Sequence, residues 1–122
     1  MVTLIRNEWS GCPPLYPGPD LPDVPGRFGM MTFTGGPGLS AESLLDTGTW
    51  QARWVGEHSD FNDAEDLAME FDRRFRARGS FTAAGIRVVS FQRSGSAPTP
   101  LLVDDAERHH FVASYLAIVQ SE

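Results

Sequence analysis

Lysine is absent from this chain: all ten basic residues are arginine, set against sixteen carboxylates, for a net charge of −6. That balance argues against a sequence-independent nucleic-acid binder, because such binding rests on neutralising phosphates. The missing lysine is ascribed to coding bias, and net charge bears on association rather than on fold. Cysteine is nearly absent too. With Cys12 alone, no intrachain disulfide can close. No CxxC pair or His/Cys array occurs, which excludes the common structural zinc sites. No apolar run approaches the ~20 residues that a membrane-crossing helix needs. The first residues lack the basic-then-apolar order of a signal peptide, so an intracellular origin is expected. Internal repeats are missing, as are a Gly-x-Ser-x-Gly elbow, a Cys/His pairing and a P-loop.

What is present suits one domain: 122 residues, 41% hydrophobic and 21% charged. A chain of this size buries roughly two-thirds of its unfolded surface, enough for a core without staples. Its first part is irregular. Prolines 13, 14, 17, 19, 22 and 25 crowd residues 1–26, removing ladder donors and breaking helices. Two readings stand for this arm. It is a polyproline ligand for an adaptor module, or it packs on its own domain or a neighbour through Leu15, Tyr16, Leu21 and Val24. The Val2–Ile5 stretch fits a short helix or a strand equally.

From residue 27 onward the pattern is regular. "RFGMMTFTGGPG" (27–38) reads as a strand ending in a glycine turn; without a GK[ST] ending the glycines are no phosphate cradle. "TWQARWVGE" (49–57) alternates, with Trp50, Ala52 and Trp54 on one face and Gln51 and Arg53 on the other. "DFNDAEDLAMEFDRRFRARG" (60–79) predicts a helix over 62–78 with an Asn62/Glu65 capping box, a Leu67/Phe71/Phe75 stripe and Gly79 past its end. Acids in its first turn and Arg73, Arg74, Arg76 and Arg78 in its last match the helix dipole. "GIRVVSFQRSG" (85–95) and "HHFVASYLAIV" (109–119) are two more strands, the second apolar on both faces and therefore central or against another subunit. The intervening 94–108 is long for a hairpin loop, where about two to five residues are usual, and Leu101-Leu102-Val103 occupies its middle. The expected fold is α+β: an antiparallel or mixed sheet of about four strands, one main helix packed on a face, and a proline-rich N-terminal arm. The division is 1–26 arm and 27–122 domain.

Asp104, Asp105 and Glu107 stand just before His109 and His110, and two histidines beside three carboxylates suggest metal or acid–base chemistry. Adjacent strand residues point to opposite faces, so the two histidines cannot share a metal without a bulge. Asp-Asp-Ala caps a turn through its own backbone. Turn followed by strand is the expected arrangement, with no catalytic, cofactor or metal site.

Residues 49–120 resemble the tail terminator (tail completion, minor capsid) proteins of long-tailed bacteriophages. The likeness lies in the order of three pieces: a strand running straight into an Ala/Glu-rich helix, "TWQARWVGEHSDFNDAEDLAMEFDRRF"; a strand ending in Arg/Gln, then Gly and Pro, "GIRVVSFQRSGSAPTPL"; and an acidic turn with a closing strand, "DDAERHHFVASYLAIV". "DLPDVPGRFGMMTFTGGPG" resembles the family's proline-containing entry to its first strand. The family's N-terminal helix has no clear counterpart in the pattern. The resemblance implies a structural virion protein, not an enzyme, assembled in the host cytoplasm and located at the tail–neck region. It implies a homo-oligomeric ring, a hexamer, that caps the tail tube protein and joins it to the head connector or neck protein. DNA would pass through without specific binding, and no cofactor, metal or membrane is implied. The expected assembly interface is Leu101, Leu102, Val103, Asp104 and Asp105 in the long loop, with Leu116 and Ile118 on the last strand. The alternatives are a related head–tail connector or, from another class, a small metal-dependent hydrolase using Asp104, Asp105, His109 or His110.

The acidic composition generates a direct expectation. Fluorescence anisotropy with duplex DNA at about 150 mM salt should show no sub-micromolar binding. A tighter complex would mean that the ten arginines form a basic footprint despite the net charge.

Overall fold

Strand β8 (Arg108–Ser121) is the spine of the molecule. One of its edges pairs antiparallel with β3 (Leu45–His58) along nearly its whole length. The other edge is shared: β7 (Thr99–Val103) takes the first part and β6 (Ile86–Arg93) the rest. Beyond β3 lie β2 (Phe28–Leu39) and then β1 (Leu15–Pro17), which runs parallel to β2. The two-residue β4 (Ala77–Arg78) and β5 (Phe81–Ala83) both pair with β6. The helices are α1 (Val2–Glu8) and α2 (Phe61–Phe75). The computed structural model describes residues 2–18, 20–24, 26–39, 45–83 and 86–121.

This architecture overturns the expected fold class of about four strands with one helix. The protein is sheet-dominated: its described residues form an eight-stranded mixed sheet curled into a half-barrel. The short strands β1, β4 and β5 span two or three residues, too few for an alternation to register. β7 carries Pro100, which reads as a loop residue but is tolerated on an edge strand. The Gly-Gly-Pro-Gly segment is not a turn: β2 runs through it, with register shifts between Phe33, Gly35 and Gly38. A seven-residue helix, α1, also occupies the stretch where the sequence pattern left helix and strand open.

Helix α2 starts at Phe61 rather than Asn62. Its N-cap is Asp60, whose side chain accepts from the Asp63 N–H at 3.0 Å. Its last turn carries Arg73 and Arg74, and it stops at Phe75, short of Gly79. Sheet pairing ends it: Ala77 and Arg78 are drawn into the ladder opposite Gln92 and Phe91. The buried stripe is Ala64, Leu67, Ala68, Phe71 and Phe75, joined by Asp72. Gly56 allows α2 to approach β3 closely, since a Cβ there would lie 2.6 Å from the Ala64 backbone nitrogen.

Phe71 is the centre of the core. It is fully buried, and its ring meets those of Phe75 at 4.8 Å, Trp54 at 5.0 Å, Tyr115 at 5.1 Å, Trp9 at 6.1 Å and Phe91 at 6.2 Å. Ile5 and Trp9 of the α1 region and Leu15 of β1 are buried in the same core, so the proline-rich segment packs on its own domain. Its other expected anchors divide: Tyr16 and Val24 are partly buried, whereas Leu21 is exposed. A carboxylate, Asp72, is buried beside this core. Asp72 accepts from Tyr115 Oη at 2.9 Å and from Arg93 Nη1 at 2.7 Å, so its buried charge is paired and hydrogen-bonded. Burial and then the bond to Asp72 push the Tyr115 phenol well above its usual range.

The opposite face of the sheet is thinner. A small cluster of Phe28, Met30 and Val55 lies there, with Tyr16 and Val24 packed against it.

Truncating the hub should be costly. Phe71→Ala is expected to lose about 3–5 kcal/mol in urea titration, the usual range for a buried aromatic. A loss below about 1 kcal/mol would mean that the helix–sheet contact does not depend on that ring.

Candidate functional site

Among the described residues, a run of three exposed large apolar side chains sits on β7. All five of its residues are exposed, and Leu101, Leu102 and Val103 retain 45%, 44% and 55% of their accessible surface. The sequence reading placed these residues in a loop; they form the outer strand of a hairpin with β8, in which Leu102 faces His110 and Val103 faces His109. Among the described residues, β7 pairs with β8 and with no other strand. Its outer edge is poorly suited to accept a further strand. Pro100 has no N–H, and a bulge lies between Pro100 and Leu102. The surface therefore offers side chains rather than backbone.

The acidic turn after β7 is a structural device. Asp104 N–H donates to the Arg108 carbonyl at 3.0 Å, and Glu107 N–H donates to the Asp104 carbonyl at 2.9 Å. The Asp104 side chain closes the turn: Oδ1 accepts from the N–H groups of Ala106 and Arg108 at 3.0 and 2.9 Å. Oδ2 receives Arg108 Nε at 3.2 Å and His110 Nε2 at 2.9 Å. That bond requires the proton on Nε2, and leaves the buried Nδ1 of His110 without a partner among the described residues. Partial burial, the largest single influence on Asp104, raises its pKa. The hydrogen bonds from His110 and the Arg108 backbone, with the charges of both residues, outweigh it and hold the carboxyl at about 2.

A second turn locks onto this one. Ser59 N–H donates to the Glu107 carbonyl at 2.8 Å, and Ser59 Oγ to Glu107 Oε2 at 3.1 Å. His58 Nδ1 lies 2.8 Å from the Ala106 carbonyl oxygen. Ser59 and Glu107 both hold positive φ, 54° and 59°, a conformation uncommon outside glycine. The paired turns thus fix the tip of the β7–β8 hairpin against the start of α2.

The expected site residues separate accordingly. Leu101, Leu102 and Val103 are exposed together, and Asp105 is exposed at the turn. Asp104 is engaged within its own turn, with both carboxylate oxygens hydrogen-bonded there. Leu116 and Ile118 are partly buried and lie beyond the reach of β7, paired with Gln92 and Ser90 of β6. His109 and His110 diverge as adjacent strand residues must: His109 meets the Phe61 ring edge-on at 5.2 Å, while His110 turns to Asp104. The sequence reading missed this Asp104–His110 pair. The signal for it was their spacing of six across a tight turn, which returns one of two alternating residues to the aspartate.

Among the described residues, no three His, Cys, Asp or Glu side chains come together as a metal-binding group. A cleft of about 410 Å³ beside α2 contains five charged groups, of which four pair, Arg27 with Asp63 at 2.9 Å and Arg74 with Glu70 at 2.7 Å, while the fifth, Asp66, is exposed to solvent.

The Asp104 turn makes stability pH-dependent with a definite sign. Its folded pKa of about 2 lies below the ~4 of a free carboxyl, so its contribution is complete above about pH 4 and is lost as pH falls toward 2. Thermal melts of wild type and Asp104→Asn should differ most above about pH 4 and converge toward pH 2. A constant gap across that window would show that Asp104 contributes through its shape and not its charge.

Compared with known proteins, the chain matches no family model, and no curated protein matches its sequence.

Proposed function

We propose that this protein is a structural virion subunit, a tail terminator that forms a ring on the phage tail tube and joins it to the head connector. One observation carries the reading: three consecutive large apolar side chains, Leu101, Leu102 and Val103, stay exposed on a strand that a rigid paired turn holds in place. Leu102 and Val103, paired with His110 and His109, point to opposite faces of the strand, so apolar side chains project from both of its sides; exposed apolar surface on a fixed scaffold is a usual mark of a protein–protein contact. The strand's blunted edge favours a docked partner over open-ended strand addition. The order of sequence pieces from residue 49 to 120 adds the family resemblance. In this reading the protein has no catalytic role, and its partners are further copies of itself, the tail tube protein and the neck.

Because β7 is a strand of the sheet, the test substitutes side chains and leaves the hairpin intact. Leu101→Ser, Leu102→Ser and Val103→Thr together alter exposed positions, where changes usually stay within about 0.5 kcal/mol each. The triple variant should keep a cooperative melt and lose ring formation by negative-stain imaging, together with complementation of tail-defective particles. Full assembly and complementation by the folded variant would remove β7 from the assembly surface and leave the proposal without its main support.

A further inference from the structure

The charge on the surface of α2 is separated end to end, and the apolar strand belongs to one end. At its N-terminal end lie Asp60 and, through the Ser59–Glu107 contacts, the exposed Asp105 and Glu107 of the β7–β8 turn. At its C-terminal end, Arg73 and Arg76 are exposed; Arg73 is paired with Glu70, whereas Arg76 has no carboxylate partner among the described residues. Met69, 41% exposed, stands four residues before Arg73 and seven before Arg76, so the three share one outward stripe. A helix of fifteen residues is about 22 Å long, so the acidic tip and the basic end of one molecule cannot satisfy each other.

Both ends therefore carry the same two ingredients with opposite sign: exposed apolar side chains beside acids at one, an exposed methionine beside arginines at the other. We infer that the acidic β7–β8 tip of one copy docks on the Met69–Arg73–Arg76 stripe of the next copy. Made in one sense from copy to copy, the contact is heterologous and closes into a ring or runs on as a filament; made twice about a two-fold axis, the same two surfaces would close as a dimer instead. This rests on the self-assembly reading above and names the two surfaces that meet.

Paired charge reversal tests the inference. Asp105→Arg with Ala106→Arg, both exposed and outside the Ser59–Glu107 side-chain contact, makes both ends basic; Arg73→Glu with Arg76→Glu makes both ends acidic. Each double variant, folded by circular dichroism, should lose self-association in sedimentation velocity up to about 500 µM, through like-charge juxtaposition. An equimolar mixture of the two should associate again, alternating along the assembly. If wild type assembles and both reversed variants assemble equally well, the named surfaces are wrong while the ring proposal survives. Association that ends at a dimer would also overturn the head-to-tail contact. A wild type that stays monomeric across the same range would overturn this inference and the self-assembling ring with it.

Discussion

The packing of the Phe71 ring among five other aromatics holds the two layers of this protein together. It brings α2 onto β3 through Trp54, onto β8 through Tyr115, onto β6 through Phe91, and onto the α1 region through Trp9. Each partner arrives from a different part of the chain, so one side chain fixes the relative placement of elements that local pairing alone would not orient. The close approach at Gly56 and the buried Asp72–Arg93–Tyr115 bonds set the depth and direction of the same contact. Aromatic rings suit this task because they bury much area and prefer edge-to-face or offset contacts.

How much was legible depended on whether a residue's role was local. Ala64, Leu67, Ala68, Phe71 and Phe75 recur at helical spacing, and their burial follows that pattern. Trp54 and Ala52 likewise alternate onto the buried face. β8 was readable as central because both of its faces carry apolar residues, and it has paired strands on both edges. What escaped was decided by distant partners. Leu15-Tyr16-Pro17 becomes a strand only because β2 is beside it, and Thr99–Val103 only because the β8 edge is open there. Ala77 and Arg78 end α2 early because β6 offers them backbone partners. The candidate surface divides in the same way: three exposed apolar residues in a row can be read from sequence, but the withdrawal of Asp104 into its own turn cannot.

Arg108 ties that turn to the other end of the chain. Besides Asp104, its guanidinium donates through Nη1 to the carbonyls of Val24 at 2.6 Å and Gly26 at 3.3 Å, and it lies 5.5 Å from the Phe28 ring centroid. The proline-rich segment and the exposed hairpin are therefore held by one cation on the thin face of the sheet. Prolines suit such a segment, since they lower the entropy lost when it is ordered and leave its carbonyls free to accept.

The position of β8 in the chain has a kinetic consequence. It follows every other described strand in sequence yet lies between β3 and the pair β6 and β7 in space. During synthesis, β3 and β6 wait without their common neighbour until residues 108–121 have emerged. The waiting intermediate exposes unpaired strand edges and the aromatic faces that β8 will cover, a state prone to association. The pairing of β8 with β3 joins residues far apart in sequence, the kind of contact that costs most loop-closure entropy, whereas its pairing with β7 is a local hairpin. A net charge of −6 opposes contact between such chains by self-repulsion while the centre of the sheet is missing.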